Sequence, residues 1–143
     1  MSQIAELEYY RPHAKVLLVD DHLEDTHIAK AILLGLNCAV DIARSGEEAL
    51  RLIESEKYDL IVLDWSMPIL DGGDTLRMLE GRCEDGRVTP VVIHSGMDPN
   101  HIELPWTKKF QFVEFWSKPT GIREVSNRAR WILRRIKKER EQE

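Results

Sequence analysis

The sequence predicts an α/β fold: a doubly wound, five-stranded parallel sheet flanked by five helices. Three observations predict it. Strand and helix signals alternate along all 143 residues, as in layered α/β domains. The runs Val16-Leu17-Leu18-Val19, Leu60-Ile61-Val62-Leu63 and Val91-Val92-Ile93 are apolar throughout, which suits central strands covered on both faces. Each run stops at polar residues, Asp20-Asp21, Asp64 and His94-Ser95. In such sheets the chemistry collects at the carboxyl ends of the strands.

The elements follow in order. After the first strand, Ile28, Ala31, Ile32 and Leu36 recur at helical spacing, and Gly35 with Asn37 marks the stop. Ala39 to Ala43 reads as a short, partly polar strand near an edge. Ser45 and Glu48 form a capping box before Ala49, Leu50, Leu52 and Ile53. The second central strand covers 59–63. Asp71-Gly72-Gly73 turns into a helix carrying Leu76, Met78 and Leu79, and Gly81 and Gly86 bracket a polar loop before the strand at 88–93. Asp98-Pro99 opens a fourth helix that Pro105 cuts short, because proline lacks the donor and clashes with the preceding turn. Phe110 to Ser117 is the fifth strand. Thr120 caps a last helix with the stripe Ile122, Val125, Ala129, Ile132, Leu133, Ile136.

Composition is that of a single globular domain, 43% hydrophobic and 31% charged. No stretch is apolar enough to span a bilayer, and the amino terminus lacks the basic and apolar regions of a secretory signal. The chain reads as cytoplasmic, with Cys38 and Cys83 as reduced thiols. A net charge of −5 argues against general nucleic-acid binding. Locally the balance reverses: Arg128, Arg130, Arg134, Arg135, Lys137, Lys138 and Arg140 crowd the last helix. Such a run is ordinarily a solvated face with cations at the carboxyl end of the helix dipole; docking to an acidic partner is the sharper reading.

Asp20, Asp21 and Asp64 at adjacent strand ends bring three carboxylates together, and a hard oxygen-seeking cation such as Mg²⁺ relieves their repulsion. Lys118, after the fifth strand, supplies a positive charge, and Ser95 a hydroxyl. Carboxylate nucleophile, cation, ammonium and hydroxyl are the parts that stabilise a phosphoryl group in transfer. Singly, each could be a turn residue or a cap. His22 and His94 flank the acids, but alternation along a strand points neighbouring side chains apart, which weighs against an Asp/His transition-metal site.

With Asp20-Asp21, the segment Asp64-Trp65-Ser66-Met67-Pro68-Ile69-Leu70-Asp71-Gly72, Ser95-Gly96 and Lys118-Pro119 in order, the chain resembles the receiver domain of two-component response regulators. The resemblance implies a flavodoxin-like receiver fold over 14–137, an extension at 1–13 and a charged helix end at 138–143. It implies a bacterial, cytoplasmic phosphoprotein that is a phosphorelay switch rather than an enzyme, with no output or DNA-binding domain. Asp64 would accept phosphoryl from a histidine kinase or phosphotransfer protein. Asp21, Asp64 and the Ser66 backbone carbonyl would ligate Mg²⁺, with Asp20 acting mainly through water. Ser95 would bond a phosphoryl oxygen, Lys118 would pair with the phosphate, and the Lys118-Pro119 bond would be cis. Phe115 stands where the family carries an aromatic switch. The switched surface, for a downstream protein or a second copy, would be the fourth-helix, fifth-strand, fifth-helix face. There Trp106, Phe110, Phe112, Phe115, Trp116 and Trp131 crowd together. Met97 leaves the phosphoryl lifetime open. Two rival readings are a phosphorylation-independent pseudo-receiver and an aspartate-nucleophile phosphohydrolase; Ser66, where the latter commonly has a second acid, counts against it.

Overall fold

A computed structural model describes residues 13–82, 88–119 and 121–142. Five strands and four α-helices follow one another as β1 (Ala14–Val19), α1 (Leu23–Gly35), β2 (Cys38–Ala43), α2 (Gly46–Ser55), β3 (Leu60–Leu63), α3 (Gly72–Arg82), β4 (Thr89–Ser95), β5 (Phe110–Ser117) and α4 (Ile122–Glu141). The strands are all parallel, in the order β2-β1-β3-β4-β5. The chain therefore winds outward from β1 to β2, then returns to β1's other side with β3. This reversal opens a crevice at the carboxyl ends of β1 and β3, the place where open α/β sheets bind ligands.

The apolar runs are buried on both faces because helices cover both. Leu17, Val19, Ile61, Leu63, Val91 and Ile93 face one way and pack with Leu50 of α2 and Leu76 and Leu79 of α3. Their neighbours Val16, Leu18, Leu60, Val62 and Val92 face the other way, against Ala29 and Leu33 of α1 and Val125, Ala129 and Ile132 of α4. The two-residue period of a strand thus fills two cores from one run. Truncating Leu79, which is fully buried, to alanine costs about 2–5 kcal/mol.

Local signals account for the boundaries. Ser45 Oγ accepts from Glu48 N at 3.1 Å, while the Glu48 carboxylate accepts from Arg44 N at 3.0 Å, one residue before the usual reciprocal partner. Asn37 ends α1 at φ 62°, a left-handed conformation that asparagine tolerates better than most residues. The expected edge strand is β2. Among the described residues, Cys38 is a buried free thiol; Cys83, Gly86, Thr120 and residues 1–12 lie outside them.

Three expectations need correction. The fourth of the five expected helices is absent from the described residues: one 3₁₀ turn, Pro99–His101, follows Asp98, whose side chain accepts from Asn100 N at 3.0 Å. With Pro105 close behind, the turn stops at Ile102, and Glu80 of α3 braces the remaining loop by accepting from Lys108 N at 2.6 Å and Lys109 N at 3.3 Å. The expected switch face is therefore a loop, β5 and the last helix. In α1 the buried side is Thr26, Ala29 and Leu33, while Ile28 is 46% exposed. That helix is apolar nearly all round, so periodicity alone could not choose its face. The cap position of α4 falls on Gly121, one residue later than Thr120.

Candidate functional site

Backbone ladders carry the central acids one residue past their strands. Asp20 N donates to Ala43 O at 3.0 Å and Asp64 N to Val19 O at 2.8 Å. Two carboxylates thus stand side by side on rigid neighbours, Asp20 6% exposed and Asp64 2%. Donor atoms from Asp20, Asp21, His22 and Asp64 all lie within 4.8 Å of one another. Lys118 Nζ reaches the same group, 2.7 Å from Asp20 Oδ2, 3.2 Å from Asp25 Oδ2 and 3.5 Å from Asp64 Oδ2.

One ammonium shared among several acids sets the electrostatics. Burial pushes the Asp64 carboxyl above the ordinary aspartate range, with Lys118 and the Ser66 N–H pulling the other way. Burial would push Asp20 upward too, but hydrogen bonds from Lys118 and His22 overcome it and hold that carboxyl below the range. For Lys118, burial favours the neutral amine, and the hydrogen bond to Asp20 with the nearby carboxylates overrides it, so the ammonium is held more firmly than usual. Neighbouring acids with opposite shifts are a pattern of functional sites.

The loop after Asp64 folds tightly beside that carboxylate. Ser66 N donates to Asp64 Oδ1 at 3.1 Å. Leu70 N donates to Pro68 O at 2.8 Å, closing a γ-turn on Ile69 at φ 70°, a strained conformation for a β-branched residue. Gly72 N then returns to Trp65 O at 3.0 Å. A Cβ at Gly72 would lie 2.9 Å from Trp65 Cα and 2.7 Å from its ring, so only glycine lets α3 begin this close to the loop. Asp71 starts that helix by accepting from Asp74 N at 2.8 Å. The Asp71-Gly72 pair is thus a geometric requirement of the Asp64 loop.

Ser95 and Lys118 come together through the β4–β5 ladder, where Lys118 N donates to Ser95 O at 2.9 Å. The Ser95 side chain is buried and its Oγ accepts from Met97 N at 3.2 Å. The Lys118-Pro119 peptide is cis. Phe115 is half-buried against the α2–α3 core. Of the other aromatics, Phe110 and Trp116 are buried, whereas Trp106 is 79% and Trp131 52% exposed. Asp20, Asp21, Asp64 and Lys118 thus form one cluster, with Ser95 on the adjoining strand and Phe115 two strand residues before Ser117. The Ser66 contact seen is its N–H, next to the carbonyl expected as a ligand.

Sequence reasoning missed one member and misjudged another. Asp25 pairs with Lys118, a role that its place in the first turn of α1 could have suggested. Strand alternation weighs against His22, yet this residue follows the strand at the helix cap, where alternation no longer holds; its Nδ1 lies 3.0 Å from Asp20 Oδ1. Alternation does govern His94, which turns to the opposite face of the sheet from Ser95 and stacks edge-on with Trp116 at 6.0 Å. Burial lowers its pKa, and it lines a small pocket with Asp20, Asp25, Thr26 and Asp64. The oxygen-rich donor set, two of its carboxylates nearly buried, suits a hard divalent cation.

Residues 16–130 match the family model for the response regulator receiver domain. The chain belongs to this family. Receiver domains serve two-component signalling, and relatives occur in bacteria and eukaryotes. The chain is 34% identical over 121 residues to the transcriptional regulatory protein CpxR of Escherichia coli, covering 85% of this chain and 50% of that one. It is 29% identical over 116 residues to hybrid signal transduction histidine kinase K of Dictyostelium discoideum, covering 78% of this chain and 10% of that one. The chain therefore spans about half or less of the curated relatives it matches. Among solved structures, the Francisella response regulator 1452 receiver domain superposes with a TM-score of 0.65 at 29% identity, covering 85% of this chain and 98% of that one. The receiver domain of a Vibrio parahaemolyticus LuxO repressor protein shares the fold with a TM-score of 0.73 at 24% identity, over 91% and 97% of the two chains. Among the described residues no helix is long and apolar enough to cross a membrane.

Proposed function

We propose that this receiver accepts a phosphoryl group on Asp64 and uses it to switch a protein-binding surface. The observation that carries the reading is the buried Asp64 carboxylate, 3.5 Å from the Lys118 ammonium and clustered with Asp20 and Asp21 at the sheet's switch point. An Asp64 oxygen forms the new O–P bond as the P–N bond of a phosphohistidine breaks, the donor nitrogen keeping the electron pair and taking a proton. That donor is a histidine kinase or phosphotransfer protein in the cytoplasm.

Asp21, Asp64 and the Ser66 carbonyl would hold Mg²⁺ on this reading, with Asp20 contributing mainly through water. The bound cation supplies charge neutralisation at the phosphoryl oxygens. Lys118 pairs with the phosphate as its hold on Asp64 is released. Ser95 trades its bond from Met97 N for a bond to a phosphoryl oxygen, and Phe115, half-buried, follows the vacated space. The surface that moves is β5, the loop before it and α4, which offers itself to a downstream protein or a second copy. It is a signalling part rather than a turnover enzyme.

Incubation with acetyl phosphate and Mg²⁺ tests the assignment, with uptake followed by intact-protein mass. Wild type gains one phosphoryl group and Asp64→Asn gains none; equal uptake by the variant would remove Asp64 from the role.

A further inference from the structure

Of the four side chains among the described residues whose donor atoms converge at the site, His22 is the one that offers nitrogen. Its position is held from both sides: its own N–H donates to Asp20 Oδ1 at 2.8 Å, and its carbonyl accepts from Thr26 N at 3.1 Å and Thr26 Oγ1 at 2.6 Å. With the backbone pinned there, the ring leans over the acids. Nδ1 stands 3.0 Å from Asp20 Oδ1, 3.2 Å from Asp21 Oδ1 and 3.3 Å from Asp64 Oδ2.

Those three spacings have a chemical meaning. Neighbouring ligands on one octahedral ion with bonds near 2.1 Å lie about 3.0 Å apart. An imidazole nitrogen at this spacing from the Asp21 and Asp64 carboxylates stands where a further ligand of the same ion stands. The ring is 57% exposed, so it can turn its nitrogen to an ion without disturbing the core. Oxygen donors alone favour hard Mg²⁺, whereas imidazole favours first-row transition ions.

We propose that His22 is a direct nitrogen ligand of the cation site and shifts its preference from Mg²⁺ toward Mn²⁺. The inference rests on the cation-binding reading above and adds a donor and a selectivity to it. Its consequence is that Mn²⁺ competes for the site at concentrations well below those of Mg²⁺.

The full chain titrated with Mn²⁺ and with Mg²⁺, followed by the fluorescence of Trp65 beside the site, gives both affinities without any phosphoryl donor. Wild type should bind Mn²⁺ at least about tenfold more tightly than Mg²⁺, and His22→Ala should narrow that ratio several-fold. His22→Asn, which restores an oxygen donor, should recover Mg²⁺ binding without recovering the ratio. Pulsed electron paramagnetic resonance of the Mn²⁺ complex should show one directly coupled nitrogen that changes on ¹⁵N-histidine labelling and vanishes in His22→Ala. Cation binding without a coupled nitrogen, or an unchanged ratio in His22→Ala, overturns the role of His22 alone. Tighter binding of both ions by that variant also overturns it, because the ring would then obstruct the site. Absence of any cation binding overturns both this inference and the reading it rests on.

Discussion

At the amino-terminal edge of the sheet, the acids have several donors among them, Lys15 Nζ lying 3.7 Å from Asp41 Oδ2 as well as against Glu56. Asp41 takes the Tyr58 hydroxyl at 2.7 Å, Glu56 takes Lys15 Nζ at 2.7 Å, and Asp59 takes Lys15 N at 2.7 Å together with Arg140. At the carboxyl edge, Asp20, Asp25 and Asp64 share the single ammonium of Lys118. The first cluster is a fastening: it ties the end of α4 to the start of β1 and to the loop before β3, with much of its charge in solvent. The second is buried and short of positive charge. Charge left uncompensated in a buried place is costly, so its persistence at one end of the sheet alone separates a working site from a structural one.

Substitutions that treat the two edges alike should have unlike effects. The largest is on phosphoryl uptake: Asp64→Asn should abolish it and Asp59→Asn should leave it intact, as read by mass after exposure to acetyl phosphate. Next is Lys118→Met, which leaves several acids facing one another; urea unfolding without divalent ions should show a loss of about 3 kcal/mol, partly restored by millimolar Mg²⁺.

A smaller effect lies in pH dependence, and its sign differs between neighbours. Asp64 is raised in the fold, so its ionised form costs stability at neutral pH. Asp64→Asn should thus be more stable than wild type there, with the gap closing as pH falls through the raised value to the ordinary aspartate range. Asp20 is depressed, so its contribution is present above that range and is lost as pH falls through its lower folded value. Asp20→Asn should accordingly be less stable than wild type at neutral pH. Chemical denaturation across pH 3–7 would check both signs; parallel curves for the two variants would dissolve the contrast. Smallest is Arg140→Ala at the fastening edge, about 1 kcal/mol or less by thermal unfolding, without change in phosphoryl uptake.

Much of this was legible in the chain. Apolar runs ending in acids betrayed central strands and their active edge, since a strand buried on both faces shows no alternation and its end must leave the core. The Ser45–Glu48 box announced α2 because capping is local. Where several faces would serve equally, the pattern failed: α1 offers apolar residues in nearly every direction, and only packing on the sheet and α4 selected Thr26, Ala29 and Leu33. The stretch from Asp98 to Lys109 was ambiguous for another reason. Pro105 argued against a helix, but nothing local foretold that Glu80, 28 residues away, would hold the loop through Lys108 N.

By itself the sequence determined the layered architecture, the order of its elements and the identity of Asp20, Asp21, Asp64, Ser95 and Lys118 as the residues to examine. Those depend on periodicity and motif spacing, which are properties of short stretches. Tertiary structure alone decided that one ammonium is divided among several acids, that Asp20 and Asp64 are shifted in opposite directions, and that His22 joins them. Each is a matter of distance between residues far apart in the chain, or of the exact turn a backbone takes after a strand ends. Coulomb energy and ligand geometry depend on those distances, and no local pattern encodes them.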